Sequence, residues 1–450
     1  MKFNSCWAYQ KTAFFVLGIF LGILPPTYSK EKKSTSTSST LKLGIGECYQ
    51  RALARSEALA LSKEAIRQTE IAYSQALSAV LPEISLVFRE RIRNLSSGGS
   101  SFDDGGSGFS SSGGGRYRFD TQLQVSQSIF RGFRDYHVLG ALEANQRASQ
   151  SDYKRDQQTL FLDTSDLYYQ ILTQRRDLEI LYELDRALLD RTNELSERVE
   201  LGRSRESELL AARTEYADNK AVIQQVRGLL SASKELMAFL LGRPASSFIL
   251  IDDKNGQQAG ELAEYLVKIG VRPDIQAQEE RVFASQKEVS ASRAAFWPSI
   301  DFRFNWLALE DPERSEEWNM FFTAELPIFD GGLRAADLSE SKSQSRSSQL
   351  SLSQLRRLAE YDIRLAYSNF TATARQMIQL REAVQVAKES LAAQKNDYQL
   401  GRASNLDVLN ALIRYEEVNR RFAVTGYLMK SNLNALHIAA GEIPFQPQQN

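Results

Sequence analysis

The feature that most constrains this chain is an internal duplication with a spacing of about 200 residues. The tripeptide Leu-Gly-Arg occurs at 201–203 and again at 400–402, so the two copies lie 199 residues apart. The same spacing relates Ile129-Phe130 to Ile328-Phe329 and Gly242 to Gly441. Solenoid repeats have periods of about 20 to 50 residues, so this longer period indicates a fused pair of domains. The sequence therefore predicts two structurally similar halves in one chain.

A longer spacing upstream indicates an insertion in the first half. Pro82 and Pro298 occupy matching places in their halves but lie 216 residues apart. The extra residues fall at 96–115, a stretch of mostly Ser and Gly that is typical of a mobile surface loop. The chain therefore divides into four parts after its N-terminal region: a first repeat (41–242), a joining segment (243–272), a second repeat (273–444) and a C-terminal tail (445–450).

The N-terminus carries a targeting signal. Lys2 and Lys11 accompany an apolar run from Thr12 to Leu24, a layout that predicts a secretory signal peptide over residues 1–29. The alternative, a membrane anchor, is disfavoured because the run is too short to cross a bilayer comfortably. The charged, Ser- and Thr-rich segment at 30–40 is expected to be a disordered linker. No later stretch is long and apolar enough for a transmembrane helix, so any membrane insertion is expected to use β-strands.

Cysteine, histidine and net charge exclude several classes of function. Cys6 lies in the predicted signal, so Cys48 alone remains, and neither a disulfide nor a cysteine metal site is expected. His137 and His437 have no metal-ligand spacing to each other or to Cys48, and no serine elbow or phosphate loop occurs. We expect no enzyme activity, no cofactor and no metal, and the sequence assigns Cys48 no role. The formal net charge of −1 gives no electrostatic basis for binding nucleic acid.

Each half contains two runs in which apolar and polar side chains alternate. They follow predicted helices at 57–81 and 274–296, which Pro82 and Pro298 end. The predicted strands are Glu83–Arg93, Tyr117–Ile129, Ser299–Leu309 and Trp318–Ile328. About ten residues suffice for a tilted strand to cross a bilayer, and Trp306 and Trp318 flank one loop as interfacial aromatics would. An ordinary antiparallel sheet with one face on a soluble core would give the same alternation.

The strands are followed by very long helices. Neither Gly nor Pro occurs from 141 to 201 or from 333 to 400, which predicts helices on the order of 100 Å long. Apolar residues recur at multiples of seven in both, as Leu181 and Leu188 illustrate in the first and Ile363 and Phe370 in the second. This spacing predicts a supercoiled seam. A soluble coiled coil has the same pattern, but it seldom needs four alternating strands and a secretion signal.

The ordered set of these features resembles the TolC family of outer-membrane efflux and type I secretion channels. The resemblance spans roughly residues 41–444 and is most specific at 398–411, Tyr-Gln-Leu-Gly-Arg-Ala-Ser-Asn-Leu-Asp-Val-Leu-Asn-Ala, and at the paired Phe-Arg-Gly (130–132) and Phe-Asp-Gly (329–331) junctions. It implies a mixed α and β membrane protein in which four transmembrane β-strands per chain contribute to a trimeric β-barrel. The long helices would form a coiled-coil α-barrel in the periplasm.

The strand pattern itself requires an oligomer but does not set its size. Four strands cannot close a barrel, and open edges in lipid leave backbone groups unpaired. Two, three or four subunits would each provide closure, and the number three comes from the family. The resemblance also implies location in the outer membrane, in contact with its lipid, together with a periplasmic adaptor (membrane fusion) protein and an inner-membrane transporter.

The function implied is an exit duct of a tripartite efflux pump or a type I secretion system, which passes substrate from the transporter across the periplasm and the outer membrane. The alternative is a periplasmic coiled-coil scaffold or a surface adhesin without channel activity. The exported substrate and the transporter class are not indicated by the sequence, because channels for different substrates have similar walls.

The resemblance further implies a gate at the periplasmic end of the helical hairpins. Four side chains match the gate pattern by position: Asp407, Tyr398, Glu208 and Arg402. Arg402 stands in for an arginine expected at Ala403, and Asn410 replaces a second expected aspartate. In an oligomer, the single ring of carboxylates formed by the copies of Asp407 would attract cations less strongly than two such rings. The adaptor is expected to contact the two turns, at Leu201, Gly202, Arg203, Leu400 and Gly401. Ordinary solvated helix surface is the alternative reading of Asp407 and Glu208.

Overall fold

The computed structural model describes residues 41–92, 117–252, 259–307 and 317–444. Several sequence predictions concern segments outside these residues: the signal peptide at 1–29, the linker at 30–40, the Ser- and Gly-rich loop at 96–115 and the tail at 445–450.

The first repeat contains three strands or strand segments and four helices in the predicted order, with one helix that the sequence reading missed. Its elements are β1 (Leu41–Leu43), α1 (Ile45–Arg55), α2 (Glu57–Ser78), β2 (Glu83–Ile92), β3 (Tyr117–Arg131), α3 (Arg134–Glu200) and α4 (Glu206–Leu241). The missed helix is α1. Its buried residues Ile45, Cys48, Tyr49 and Ala52 recur at helical spacing and face the core beside α3, so the sequence contains a periodic signal that was overlooked.

The joining segment and the second repeat follow. The joining segment holds β4 (Phe248–Leu250), α5 (Leu262–Val267) and two short 3₁₀ helices at Ala245–Ser247 and Lys268–Val271. The second repeat holds α6 (Pro273–Ala294), β5 (Ser299–Leu307), β6 (Trp318–Glu325), α7 (Leu333–Gln399) and α8 (Asn405–Ala439). Apart from β1 and α1, the two repeats have the same order of elements.

The long helices α3 and α7 each contain 67 residues, which corresponds to about 100 Å. The apolar residues that recur at multiples of seven lie mostly inside. Those that are buried are Leu167, Leu181, Leu188 and Leu195 in α3 and Ile363, Phe370 and Leu391 in α7, and those that are half-buried are Leu160, Met377, Val384 and Tyr398. Each long helix packs antiparallel against the shorter helix that follows it, so both repeats contain a helical hairpin. In the part of the chain that the structure describes, no helix is both long and apolar enough to cross a membrane.

The four longer strands form one antiparallel sheet in the order β2-β3-β5-β6. All four predicted strands are present, but β6 ends at Glu325, three residues before the predicted end at Ile328. β6 is shorter than predicted because the residues that follow it lack a strand to pair with. The last residues of β3, from Gln127 to Arg131, pair with β5, whereas the corresponding residues after β6 face an open edge of the single chain.

A two-stranded parallel sheet of β1 and β4 closes the core beside the middle of α3. The core includes Cys48 of α1, whose side chain is fully buried next to Tyr49 and near Phe161 and Met237. Burial raises the pKa of the Cys48 thiol to about 12. The thiol therefore stays protonated, and Cys48 acts as a packing residue of α1.

A buried polar cluster joins the start of the second repeat to both long helices. Arg272 is 2% exposed and donates through Nη2 to Asp274 Oδ2 at 2.7 Å and through Nη1 to the carbonyl of Ala439 at 3.0 Å. Its Nη2 also lies 3.6 Å from Asp362 Oδ2 in α7, and Arg155 Nε of α3 lies 3.8 Å from Asp274 Oδ2. Burial acts to raise the pKa of Asp274, but the hydrogen bonds it accepts and the charges of Arg272 and Arg155 act more strongly in the other direction. The net result is a pKa below the ordinary value of an aspartate.

Candidate functional site

The two Leu-Gly-Arg turns end the long helices, and we call the region around them (residues 198–208 and 397–410) the helical tip. Gly202 has φ 68° and Gly401 has φ 72°, in the left-handed region that favours glycine at the end of a helix. The next backbone N–H closes each helix by donating to the carbonyl five residues earlier, at 2.7 Å from Arg203 and 2.8 Å from Arg402. The chain therefore reverses sharply in both repeats and leads into α4 and α8.

The tip presents apolar and basic side chains to the surroundings. Leu201 and Leu400 are 68% and 58% exposed, and Arg203 is exposed beside the first of them. Arg402 Nη2 lies 3.4 Å from Asp397 Oδ1 at the end of α7, in an exposed ion pair. Exposed leucines at the end of a long helical hairpin are suited to contact another protein.

Asp407 caps the helix that leaves the second turn. Its carboxylate accepts hydrogen bonds from the backbone N–H of Ser404 at 2.8 Å and from the Ser404 hydroxyl at 2.6 Å. In return the N–H of Asp407 donates to Ser404 Oγ at 3.3 Å, which completes a capping box at the start of α8. The side-chain and backbone hydrogen bonds from Ser404 lower the pKa of Asp407 below its ordinary value. Asp407 is therefore an exposed carboxylate whose pKa lies below that of an ordinary aspartate.

Tyr398 contacts the first repeat through its ring. The guanidinium carbons of Arg191 and Arg198, both in α3, lie 4.2 Å and 5.0 Å from its ring centroid, so two cations face one half-buried aromatic ring. Arg191 also donates from Nε to Asn405 Oδ1 at the start of α8, and from Nη1 to Glu194 Oε2 at 2.6 Å. One arginine of α3 thus contacts both the end of α7 and the beginning of α8.

Glu208 forms a hydrogen bond inside the first turn of its own chain. Its Oε2 accepts a hydrogen bond at 2.8 Å from the hydroxyl of Ser204, within its own turn. Within one chain, as far as the structure describes it, no hydrogen bond joins Glu208 to Tyr398. A contact between these two residues across neighbouring subunits stays a prediction.

Arg191, which precedes the helical tip in α3, and Asn405 within the tip are the residues that sequence reasoning missed. Arg191 follows the buried Leu188 by three positions and precedes the buried Leu195 by four, and its side chain is only 13% exposed. A charged residue within an apolar seam is a signal that could have been noticed, because burying a guanidinium requires partners. Asn405 is 1% exposed, but its place after an N-cap gives no hint of that burial.

The sheet at the other end of the long helices has one apolar and one polar face. In register, the apolar face contains Ile84, Leu86 and Phe88 of β2, Leu123 and Val125 of β3, Phe302, Phe304 and Trp306 of β5, and Trp318, Met320 and Phe322 of β6. The side chains of Phe88 and Phe322 on this face are 72% and 65% exposed. The soluble-sheet alternative requires this face to lie on a core of the chain, and the exposure of these rings contradicts it.

The comparison with known families decides the identity. The sequence profile of the family described as "Outer membrane efflux protein" matches residues 48–243 and 269–442, well over half of the chain. The chain belongs to the outer membrane efflux protein family. This efflux protein is 21% identical over 418 residues to outer membrane protein TolC of Vibrio cholerae serotype O1, covering 90% of this chain and 92% of that protein. It is 29% identical over 206 residues to the multidrug resistance outer membrane protein MdtP of Escherichia coli O6:H1, covering 42% and 41% of the two chains.

Solved structures share the fold of the efflux protein. It superposes on a crystal structure of CusC with a TM-score of 0.77 at 19% identity, covering 93% of this chain and 97% of that one. The outer membrane protein VceC of Vibrio cholerae gives a TM-score of 0.76 at 18% identity, covering 89% and 96%. The predicted membership of the TolC family is therefore confirmed, and with it the efflux function and the outer-membrane location.

Proposed function

We propose that this efflux protein is the outer-membrane exit duct of a tripartite pump or a type I secretion system and catalyses no reaction. The observation that carries the proposal is that an exposed apolar sheet face is followed in each repeat by a helical hairpin whose long helix has 67 residues. An apolar outer face suits contact with lipid, and helices about 100 Å long suit passage across much of the periplasm. The energy for export would come from partners.

The proposed working unit is a homotrimer. The outer edges of β2 and β6 leave backbone donors and acceptors unpaired in a single chain, and such edges cannot remain open in lipid. Three copies would close the sheets into a transmembrane β-barrel and the hairpins into a periplasmic α-barrel. The number three rests on the family, and the need for closure rests on the open edges.

A periplasmic adaptor protein is the proposed partner at the helical tip, with an inner-membrane transporter beyond it. The exposed Leu201 and Leu400 support this assignment because each lies at the apex of a turn, next to a basic side chain. Gly202 and Gly401 have no other atoms within 4 Å of an added Cβ, so an approaching helix would meet open backbone there.

We assign the gate of the duct to Asp407, Tyr398, Glu208 and Arg402. Three copies would bring three Asp407 carboxylates towards one axis, where they would attract cations. Tyr398 and Glu208 of neighbouring subunits would hold the entrance closed with a hydrogen bond worth about 1 kcal/mol, a contact weak enough for adaptor binding to displace. Arg402, already beside Asp397, would supply the positive charge at the apex.

The remaining alternative is a periplasmic scaffold or surface adhesin that does not conduct. Fractionation of cells separates it from a duct. We expect the protein in the outer-membrane fraction, resistant to carbonate extraction and released as a trimer by detergent. Recovery as a soluble periplasmic protein, or release by carbonate alone, would contradict the duct.

A further inference from the structure

The contact between α8 and α3 contains an acidic side chain among apolar ones. Glu416 of α8 lies seven residues after Leu409 and four after Leu412, and all three are buried. The two leucines pack in one apolar cluster with Leu184 and Leu188 of α3. Glu416 therefore occupies a core position between the helical hairpins of the two repeats, where the spacing calls for a hydrophobic residue.

The Glu416 carboxylate is buried without a full set of partners. The residue is 6% exposed, and within the part of the chain that the structure describes its Oε2 has no hydrogen-bond partner. An ionised carboxylate with an unpaired oxygen is strongly disfavoured in such a packed contact. The protonated form is uncharged and costs less to bury.

The cations closest to this position along the two helices have other partners. Arg420, one turn after Glu416, donates from Nη2 to Asp177 Oδ2 of α3 at 2.9 Å. Arg176 of α3 pairs with Glu179 at 2.9 Å. Both guanidinium groups are therefore engaged beside Glu416 rather than with it.

The charges that act on Glu416 come from α3. Burial raises the pKa of Glu416 most strongly, and the like charge of Glu183 raises it further. A hydrogen bond with Asn419 and the charge of Arg176 act to lower the pKa, but the net shift is upward. The carboxyl group therefore titrates above the ordinary range of a glutamic acid.

The other two helices that contact α8 direct their charged groups elsewhere. On α4, Lys220 Nζ lies 4.1 Å from the ring centroid of Tyr216, which packs against the apolar cluster. On α7, the charged residues at a similar distance from the turn are exposed: Arg381, Glu382, Lys388 and Glu389.

A raised pKa makes the contact between α3 and α8 depend on pH. Glu416 binds its proton more tightly when packed than when exposed to water, so protonation stabilises the packed arrangement. This stabilisation is complete below the ordinary pKa of a glutamic acid and is lost as pH rises through the raised pKa of the folded protein. The pKa of Asp407 is shifted the other way, so the two carboxylates titrate in different ranges.

We propose that Glu416 is a positioning residue of the helical tip, which holds α8 against α3 when it carries a proton and loosens this contact when it is ionised. The contact reaches the tip because α8 begins at Asn405, which accepts a hydrogen bond from Arg191 of α3. A partner protein that approaches the tip therefore meets a looser hairpin at neutral pH than at acidic pH. The consequence for channel opening rests on the proposed function, whereas the contact itself belongs to the folded chain.

Thermal unfolding of the full-length protein in detergent tests the contact. E416Q keeps the shape of the side chain but stays neutral, so its unfolding temperature should match that of the parent at about pH 5 and exceed it increasingly towards about pH 8. The control E417Q alters the next residue, which is exposed and pairs with Arg414 at 2.9 Å. It should differ from the parent by the same amount at every pH. A constant difference between E416Q and the parent would overturn the proposal.

Two further variants keep Glu416 and change its neighbours, so they remain informative if E416Q does not fold. E183Q removes the like charge and should move the midpoint of the titration to lower pH. R176M removes the favourable charge and should move the midpoint to higher pH. Infrared difference spectra follow the C=O stretch of the protonated carboxyl group and report both midpoints. Identical midpoints in E183Q, R176M and the parent would overturn the assignment to Glu416.

Single-channel recording tests the consequence for the tip and separates this inference from the proposed function. The open probability of the parent and of E417Q should rise from about pH 5 to about pH 8, and that of E416Q should stay at the low value. Conductance with the same pH dependence in E416Q and the parent would overturn the role of Glu416 and leave the duct intact. A pH-dependent stability that E416Q abolishes, in protein that never conducts, would support the Glu416 contact and overturn the duct.

Discussion

The guanidinium of Arg191 lies 4.2 Å from the ring centroid of Tyr398, and the same side chain donates a hydrogen bond to Asn405. These contacts attach both ends of the second tip turn to the first repeat. They lie within one chain, so they act alongside any gate contact between subunits. The tip of the second hairpin is therefore held by a cation over an aromatic ring as well as by polar bonds.

Removal of the Arg191 guanidinium should loosen this tip. A cation over a partly desolvated ring and a hydrogen bond from a charged donor together contribute about 2 kcal/mol, so R191M should shift the balance between closed and open channels by about 30-fold. The measurement is open probability in single-channel recordings. The control R186M lies on the same helix, where Arg186 donates to the carbonyl of Tyr182 one turn earlier, and should conduct like the parent.

Substitutions of Tyr398 distinguish the ring from the hydroxyl. Y398F keeps the ring under Arg191 and removes only the hydroxyl that the proposed bond to Glu208 uses, whereas Y398L removes both. We expect a small rise in open probability for Y398F and a rise like that of R191M for Y398L. Equal effects of Y398F and Y398L would show that the hydroxyl, and not the ring, holds the tip.

The Asp407 carboxylate should make channel block by trivalent cations dependent on pH. Its folded-state pKa is depressed, so the charge and the capping interaction persist above that pKa and are lost as pH falls through it. D407N keeps an acceptor for the cap but removes the charge, and should abolish block while leaving the trimer intact. S404A removes the hydroxyl donor and raises the pKa of Asp407, so block should be lost at a higher pH than in the parent. If the pH dependence of the block is the same in S404A as in the parent, the Asp407 carboxylate is not the group that binds the blocking cation.

Charge on the apolar sheet face should prevent membrane assembly. F304R places a cation on that face and should cost about 2 to 4 kcal/mol near the bilayer midplane. N305R, one position away, points to the polar face and should be tolerated. Heat-resistant trimer in the outer-membrane fraction reports the result, and normal assembly of F304R would argue against a lipid-facing surface.

Arg272 should be essential for stability. R272M removes the buried guanidinium that bonds to Asp274 and lies beside Asp362, and the loss of hydrogen bonds between charged groups costs about 1.5 to 3 kcal/mol, with Arg155 still near Asp274. The control K268M removes a surface pair with Glu442 at 2.7 Å and should cost about 0 to 1 kcal/mol. Thermal unfolding of the detergent-solubilised protein compares the two. Equal unfolding temperatures for R272M and K268M would show that the cluster around Arg272 does not stabilise the fold more than a surface ion pair does.

Much of this fold was predictable because its signals are periodic. Prolines before each first strand, alternation in the strands and apolar residues spaced by seven in the long helices place the main elements within a few residues. The tip turns were predictable because only a glycine readily adopts the left-handed conformation seen at Gly202 and Gly401. These signals are local, so one sequence is enough to read them.

What was missed depends on contacts between distant segments. The partner of Arg191 lies 214 residues away at Asn405, and no local pattern links them. The end of β6 was overestimated because strand length depends on a neighbour that a single chain lacks. The pairing of β1 with β4 beside α3 likewise joins distant segments, and sequence periodicity does not report it. Helix α1 does have a helical pattern of apolar residues, and it was overlooked.

The most direct measurement is single-channel recording of the purified trimer in planar lipid bilayers, first as the parent and then as R191M. The duct predicts discrete conductance steps for the parent, block by trivalent cations from the side of the helical tip, and a larger open probability for R191M. A trimer that inserts into the bilayer but gives no conductance in either form would contradict the duct and favour a non-conducting scaffold or adhesin.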